Sequence, residues 1–358
     1  MYNAIVFDKE EQHINDFLAL PKLLYAKKEI TQNAGEERKI LEETHVMNKY
    51  FRQHKILAYN QAGQPCGRCI VTVYPDGDTA YIGYFECVED PACAKAVFDK
   101  AEECSAREGF QKIVGPLDSS FWMKYRLKTD SFDSPPYTGE PYNKPYYAKL
   151  FEDNGYSVME TWVSNRFGRP PLFIKRKTAK YKERLDIAER NNYKIVNVKS
   201  KDFDQGMDII YSLISETFKD FVTFRPIARE DFKEIFKDYK LILDYHLVKL
   251  VYYEGEPVAF VIVIPDYQNR PYRKMTPYNI LRILLKKLRS GNYVGLYMGV
   301  KKEHRGLGKA LAQKVLVELY IRRSKSIGAL ITKGKITEKY FEEQVEKKNT
   351  YVLYEKAL

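Results

Sequence analysis

No apolar run in the 358 residues reaches the ~18–20 that a membrane-spanning helix needs. Cysteine is scarce: five, an odd number in a long chain, which argues against a disulfide framework. Cys66 and Cys69 form one CxxC pair, but no second pair or histidine pair completes a zinc site. None of the five histidines falls in a metal or triad pattern, so no metal is expected. A redox dithiol would open a helix, whereas Cys69 opens the strand-like run Cys69–Tyr74. The pair is therefore expected to be small residues around a hairpin turn. Met1–Lys9 has no cationic stretch before an apolar one, so neither a signal nor a transit peptide is expected. The expected location is cytoplasmic.

What is present points to a globular chain of about two domains, with 44% hydrophobic and 30% charged residues. The net charge of +11 admits anionic partners without selecting one. It concentrates in residues 160–195, with ten Lys/Arg against four acids, and in 266–292, with seven against one. Nucleic acid, an acidic membrane surface and a phosphorylated cofactor all suit such charge; for each stretch a solvated basic face is the default.

The chain resembles itself once. Tyr81-Ile82-Gly83-Tyr84-Phe85-Glu86-Cys87-Val88 can be laid over Tyr293-Val294-Gly295-Leu296-Tyr297-Met298-Gly299-Val300, with three identities in eight positions. A turn and a β-rich run precede each copy, and a helical run of about 17 residues and a short strand follow. Leu150-Phe151-Glu152 later echoes Tyr340-Phe341-Glu342. The order predicts an α/β fold of two similar domains, each a central mixed sheet flanked by helices. The expected limits are 1–165, a basic connector 166–192 carrying a polar helix, and 193–358. In the second half the last helix is expected over 336–346 and the closing strand over 350–355.

After the strand ending at Val300 comes Lys301-Lys302-Glu303-His304-Arg305-Gly306-Leu307-Gly308-Lys309-Ala310. A small-residue turn opening into a helix leaves backbone N–H groups unpaired and aimed at one spot, with the positive helix end behind them. Such a turn cradles pyrophosphate. Gly306 and Gly308 allow close approach, and Arg305 and Lys309 add charge. Walker A and Rossmann spacings are both absent. The first half has Glu89-Asp90-Pro91-Ala92-Cys93-Ala94 at the matching turn, where acids repel phosphate and Pro91 lacks a donor. No cofactor is expected there.

Arg305-x-x-Gly308-x-Ala310 after a strand is similar to the acyl-CoA signature of the GNAT acetyltransferase superfamily. Nearly the whole chain resembles a family of bacterial tandem-GNAT proteins. The specific stretches are Gly115-Pro116-Leu117, Ser134-Pro135-Pro136-Tyr137, Tyr142-Asn143-Lys144-Pro145-Tyr146-Tyr147 through Gly155-Tyr156, Ile264-Pro265-Asp266 and Thr350–Leu358. The resemblance implies an acyl-CoA-dependent N-acyltransferase, with acetyl-CoA as donor and a small or peptide-like amine as acceptor. It implies pyrophosphate on Arg305–Ala310, the thioester carbonyl near Met298, Gly299 and Val300, and a tyrosine acid at Tyr340. One departure is Gln344-Val345 where the family's last helix ends Gly-Phe.

Asp266 is a base candidate or a turn residue, and His304 is expected at the surface. The aromatic segment with Trp122, Tyr125, Tyr137, Tyr142, Asn143, Tyr146 and Tyr147 is either core or an acceptor wall facing the second domain; Trp122, Tyr142, Asn143 and Tyr146 are the wall candidates. Thr276–Asn292 spaces Ile280, Leu281, Leu284, Leu285 and Leu288 on one helical face. It is expected to pack over the second domain as a lid, with a membrane-surface helix as the alternative. Two other functions stay open: a CoA-binding sensor or scaffold without turnover, and an aminoacyl-tRNA-dependent transferase, which the intact turn argues against.

Overall fold

The computed structural model describes residues 2–171 and 178–358. Its strands are β1 (Asn3–Phe7), β2 (Arg52–Tyr59), β3 (Pro65–Val73), β4 (Ala80–Cys87), β5 (Lys112–Gly115), β6 (Leu127–Lys128), β7 (Ser157–Phe167), β8 (Lys194–Asn197), β9 (Val248–Tyr253), β10 (Glu256–Pro265), β11 (Asn292–Val300), β12 (Lys325–Thr332) and β13 (Val345–Ala357). The α-helices are α1 (Glu11–Leu24), α2 (Ala34–Leu41), α3 (Pro91–Arg107), α4 (Tyr147–Asp153), α5 (Ala179–Arg190), α6 (Phe203–Thr217), α7 (Arg229–Phe236), α8 (Tyr239–Ile242), α9 (Pro277–Leu288) and α10 (Leu307–Ile321).

All the described strands form one mixed sheet, in the order β1-β2-β3-β4-β5-β13-β7-β12-β11-β10-β9-β8 with β6 beside β13. Each half runs as an antiparallel meander that ends on a parallel pair, β4 with β5 and β11 with β12. This is the expected α/β architecture. The closing strands are exchanged: β7, which ends the first half, pairs with β12 of the second, and β13, which ends the second, pairs with β5 of the first. Residue 165 therefore lies inside β7, and part of the basic connector is the helix α5. Burying Tyr181, Leu185 and Ala188, α5 contacts α10.

On one face a single core spans both halves, from Phe17 and Leu57 through Trp122 and Trp162 to Phe260 and Val294. The other face carries two separate cores. Phe85, Val97, Phe98 and Phe151 pack in the first half; Leu185, Val261, Leu307 and Leu311 pack in the second. The apolar positions at three-to-four spacing on α3 and α10 fill these cores.

The internal repeat extends to a sheet irregularity. Opposite β3, β4 bulges across Tyr84, whose φ is +52°; opposite β10, β11 bulges at Leu296, the matching residue of the second copy. One expected element is corrected. Residues 336–346 form two short 3-10 turns, Ile336–Lys339 and Glu342–Gln344, separated by Phe341 at a φ of +54°. The long pairing of β13 with β7 starts at Val345 opposite Phe167, so the last positions of the expected helix belong to a strand.

The CxxC pair is corrected in one respect: Cys66 and Cys69 lie within β3 rather than at its turn. Both are buried, like the other three free cysteines.

Candidate acyl-donor cleft

The two parallel pairs part almost at once. β11 and β12 are joined from Asn292 to Gly295 and no further, while β11 runs on to Val300. From Leu296 onward its β12 side is open, and Leu296, Tyr297, Met298 and Val300 are half-exposed. In β4 all eight residues are buried. The difference has a visible cause. Beside β4 the chain from Leu117 to Asp118 fills the gap: Leu117 N–H donates to Ile82 O at 2.8 Å and Tyr84 N–H to the Asp118 carboxylate at 2.5 Å. Gly83 lies so close to Leu117 O that no side chain could stand there.

The turn at the end of β11 is equally asymmetric between the halves. Gly306 adopts a φ of +104°, which favours glycine, and a Cβ there would meet open space. It starts α10 without any side-chain cap, so the first-turn amides of Leu307 and Gly308 have no capping side chain as acceptor. Arg305 is exposed and Lys309 half-exposed beside them. In the first half Asp90 occupies the equivalent place, its carboxylate accepting from Ala92 N at 2.8 Å and Cys93 N at 3.3 Å. That helix start is already neutralised from within.

Tyr340 comes to the same place although it is not on a helix. Its hydroxyl and Met298 Sδ are neighbours of the position a Gly308 Cβ would occupy, at 2.6 and 3.7 Å. Burial pushes the Tyr340 hydroxyl up to about 12, with the neighbouring Tyr181 adding to the effect. Tyr181 of α5 packs edge-on against Tyr340 and stacks on Phe341 at 4.1 Å, while its hydroxyl accepts from Phe341 N at 2.8 Å. Met298 and Tyr340 thus meet at Gly308, in the first turn of α10; Gly299 and Val300 continue β11 from Met298, and Arg305, Gly306, Leu307, Lys309 and Ala310 flank Gly308 in the chain. His304 lies behind the turn, bonded to the Tyr193 hydroxyl at 2.9 Å.

Of the two readings of Asp266, base or turn residue, its bonds fit the structural one. Its carboxylate accepts from Thr138 N, Thr138 Oγ1, Gln268 N and Asn292 Nδ2 at 2.9–3.3 Å. Three of these bonds end on Oδ1 and one on Oδ2, and Thr138 belongs to the other half.

The four proposed wall residues divide. Trp122 does meet the second half, donating from Nε1 to Arg225 O at 2.8 Å and packing on Phe224 and Phe232. Tyr142 and Asn143 instead line a small first-half cavity of about 30 Å³, room for a few waters. Asn143 pins β6, bonding Lys128 N and O at 2.7 and 3.0 Å. Tyr146 donates to Cys87 O at 2.8 Å. Asn143 and Tyr146 thus hold first-half backbone, the core alternative for this segment.

The residues facing the open end of β11 are others. Gly139 lies against Leu296, its Cβ position 2.9 Å from Leu296 Cδ2, and its N–H donates to the Tyr272 hydroxyl at 2.9 Å. Arg126 stacks its guanidinium on Tyr125 and Trp162, 3.7 and 4.4 Å from their ring centres. Its Nε is buried without a partner. Burial lowers its pKa, and the groups that favour its charge are the hydroxyls of Tyr125, Tyr297, Tyr137 and Tyr351. Nothing in the local sequence marked Arg126, because its neighbours come from four separate strands and loops.

Among the described residues no group of three or more His, Cys, Asp and Glu could hold a metal, and no helix is long and apolar enough to cross a membrane. No protein-family model matches the chain. It is 24% identical over 216 residues to protein YghO of Escherichia coli K12, covering 58% of this chain and 53% of that one. It is 22% identical over 233 residues to a bacterial ceramide synthase of Caulobacter vibrioides, covering 62% and 58%. The chain thus spans little more than half the length of these relatives. Across 100% of its length it superimposes on 98% of a tandem GNAT protein from the clavulanic acid biosynthesis pathway, with a TM-score of 0.55 at 9% identity. The chain has the tandem GNAT fold.

Proposed function

We propose that the chain is an acyl-CoA-dependent N-acyltransferase whose donor lies in the second-half cleft. The observation that carries this reading is the parting of β11 from β12 directly in front of the uncapped start of α10. An anion at Gly306–Ala310 would meet uncapped amides, the helix dipole, Arg305 and Lys309. A chain running from there along β11 would find unpaired backbone at Leu296–Val300. Bound acyl-CoA would supply an activated thioester, and acetyl-CoA is the donor to test first.

The protein's own part is alignment and charge placement. Holding two reactants in register can contribute ~7–11 kcal/mol in favourable cases. A backbone N–H near Gly299–Val300 would stabilise charge developing on the thioester oxygen. Tyr340, whose hydroxyl burial keeps protonated, would donate to the departing sulfur. The acceptor amine would enter from the seam between the halves, past Gly139, Tyr272 and Tyr297, whose aromatic rings would suit an apolar tail. The relative named as a ceramide synthase supports including a long-chain amino alcohol among the acceptors, beside small and peptide-like amines.

The test is thiol release from acetyl-CoA and a long-chain acyl-CoA across such an amine panel, alongside calorimetric titration of CoA. Binding without release from any pair would leave a CoA-binding protein. No CoA binding would refute the cleft itself.

A further inference from the structure

The helix α9 is mounted with its apolar side outward. Its sequence predicts a face of Ile280, Leu281, Leu284, Leu285 and Leu288, which a lid would bury; Ile280 is half-buried, unlike the leucines. In the structure these leucines are 53%, 39%, 52% and 79% exposed, with Tyr278 at 68%. The residues buried beneath the helix are Asn279 and Ile283. Lys286 and Lys287 are half-buried, and Lys287 Nζ donates to Leu241 O at 3.0 Å. A surface helix normally shows water the opposite arrangement.

The mounting is firm at the start of the helix. Thr276 caps the helix through Asn279 N, and Asn279 Nδ2 donates to Arg270 O at 3.0 Å. The preceding loop is tied to the first half by Asn269, which donates to Lys27 O and Ile30 O, and by the Tyr272 hydroxyl, which accepts from Gly139 N. The outward face is therefore not a lid caught open.

Charge says what covers it. Lys274, Arg282 and Arg289 are exposed around the leucines, and no acid lies between Tyr267 and Asn292. Next to Leu288 opens a shallow depression of about 1440 Å³, edged by Arg169, Arg289 and Arg323, with Ile321 70% exposed at its rim. A second copy docked by a two-fold axis would bring the same cations together around the leucines. An anionic bilayer satisfies both features, accepting leucines at the acyl boundary and cations among its headgroups.

We propose that α9 is a membrane-docking helix that lays Leu281, Leu284, Leu285 and Leu288 into the surface of an anionic phospholipid bilayer. Lys274, Arg282 and Arg289 stand at headgroup level. The docking is peripheral and stands independently of turnover at the cleft. It also sets the seam loop carrying Tyr272 beside the membrane, where a lipid amine would be presented.

The experiment is flotation of the full chain with phosphatidylcholine vesicles, with and without phosphatidylglycerol, at low and high salt. The expected result is binding to phosphatidylglycerol-containing vesicles that weakens with salt and falls at least about tenfold in Leu281→Gln/Leu285→Gln, with CoA affinity and melting temperature unchanged. A Leu288→Trp variant should show blue-shifted emission on the same vesicles. Equal binding to both vesicle types, no flotation, or flotation unaffected by the double substitution would overturn the proposal. A dimer in light scattering that the double substitution dissolves, without vesicle binding, would overturn it in favour of a second copy.

Discussion

The hydroxyl of Tyr340 occupies the space that a side chain at Gly308 would need, 2.6 Å from where its Cβ would stand. The relation ties the segment before the closing strand to the first turn of α10. Gly308→Ala should therefore displace Tyr340, the far end of a movable side chain, without unfolding the helix. Both Gly308→Ala and Tyr340→Phe are expected to lower kcat about tenfold, equivalent to ~1.4 kcal/mol of barrier. If they act through one hydroxyl, the double variant loses no more than either alone. Losses that multiply would separate the two residues.

The pH profile follows from the same tyrosine. With its pKa pushed up to about 12 by burial, the hydroxyl keeps its proton as pH rises through the working range. The protonated form is the donor, so Tyr340 should impose no alkaline limb on kcat below about pH 10. Replacing it with phenylalanine should lower the whole profile without moving its inflections. An alkaline limb near pH 8 that vanished in Tyr340→Phe would contradict this assignment.

One CoA should bind per chain. The first-half gap is filled by Leu117 and Asp118, and its helix start is capped by Asp90, so it has neither room nor free amides. Calorimetry is expected to give a stoichiometry near one, and Arg305→Glu/Lys309→Glu to weaken binding by at least about tenfold. Residual binding at full affinity in that variant would move the site elsewhere.

Asp266 and the exchanged strands make the halves one folding unit. Asp266→Ala leaves the donors of Thr138, Gln268 and Asn292 without their acceptor and should cost about 2–4 kcal/mol. Because β7 and β13 each complete the other half's pairing, urea unfolding should show one transition in both proteins, with the midpoint lowered in the variant. Two resolved transitions in the parent protein would show that the exchange does not couple the halves.

Periodicity and turn chemistry placed the meanders, α3, α10 and the glycine turn, because these are local signals. The strand exchange was not legible: Val345–Ala357 alternates well enough for a strand, but nothing in it names β5 and β7 as neighbours. The same limit cost the helix expected at 336–346, where non-local pairing from Val345 overrode a local pattern. For α9 the spacing of its leucines was read correctly, but the side they face depends on the loop that mounts the helix. Asp266 looked chemical in sequence because a lone acid beside a strand end has no visible partners until Thr138 is brought to it from the other half.

Arg126 offers the sharpest separation of stability from function. Its charge is half-buried against Tyr125 and Trp162, its Nε finds no partner, and burial lowers its pKa. A partly desolvated cation held only by aromatic faces and hydroxyls costs folding free energy, and replacing such a group by an apolar side chain of similar length is often neutral or stabilising. Arg126→Met should therefore fold with an equal or higher melting temperature. If the acceptor enters past Tyr297, the same substitution removes a guanidinium beside that path. The Michaelis constant for the acceptor should then rise at least about tenfold while CoA affinity holds. Arg126→Lys restores charge without the planar stacking face and should recover only part of the loss. A variant that is less stable, with normal acceptor kinetics, would show that Arg126 serves the seam's packing and that the acceptor enters by another route.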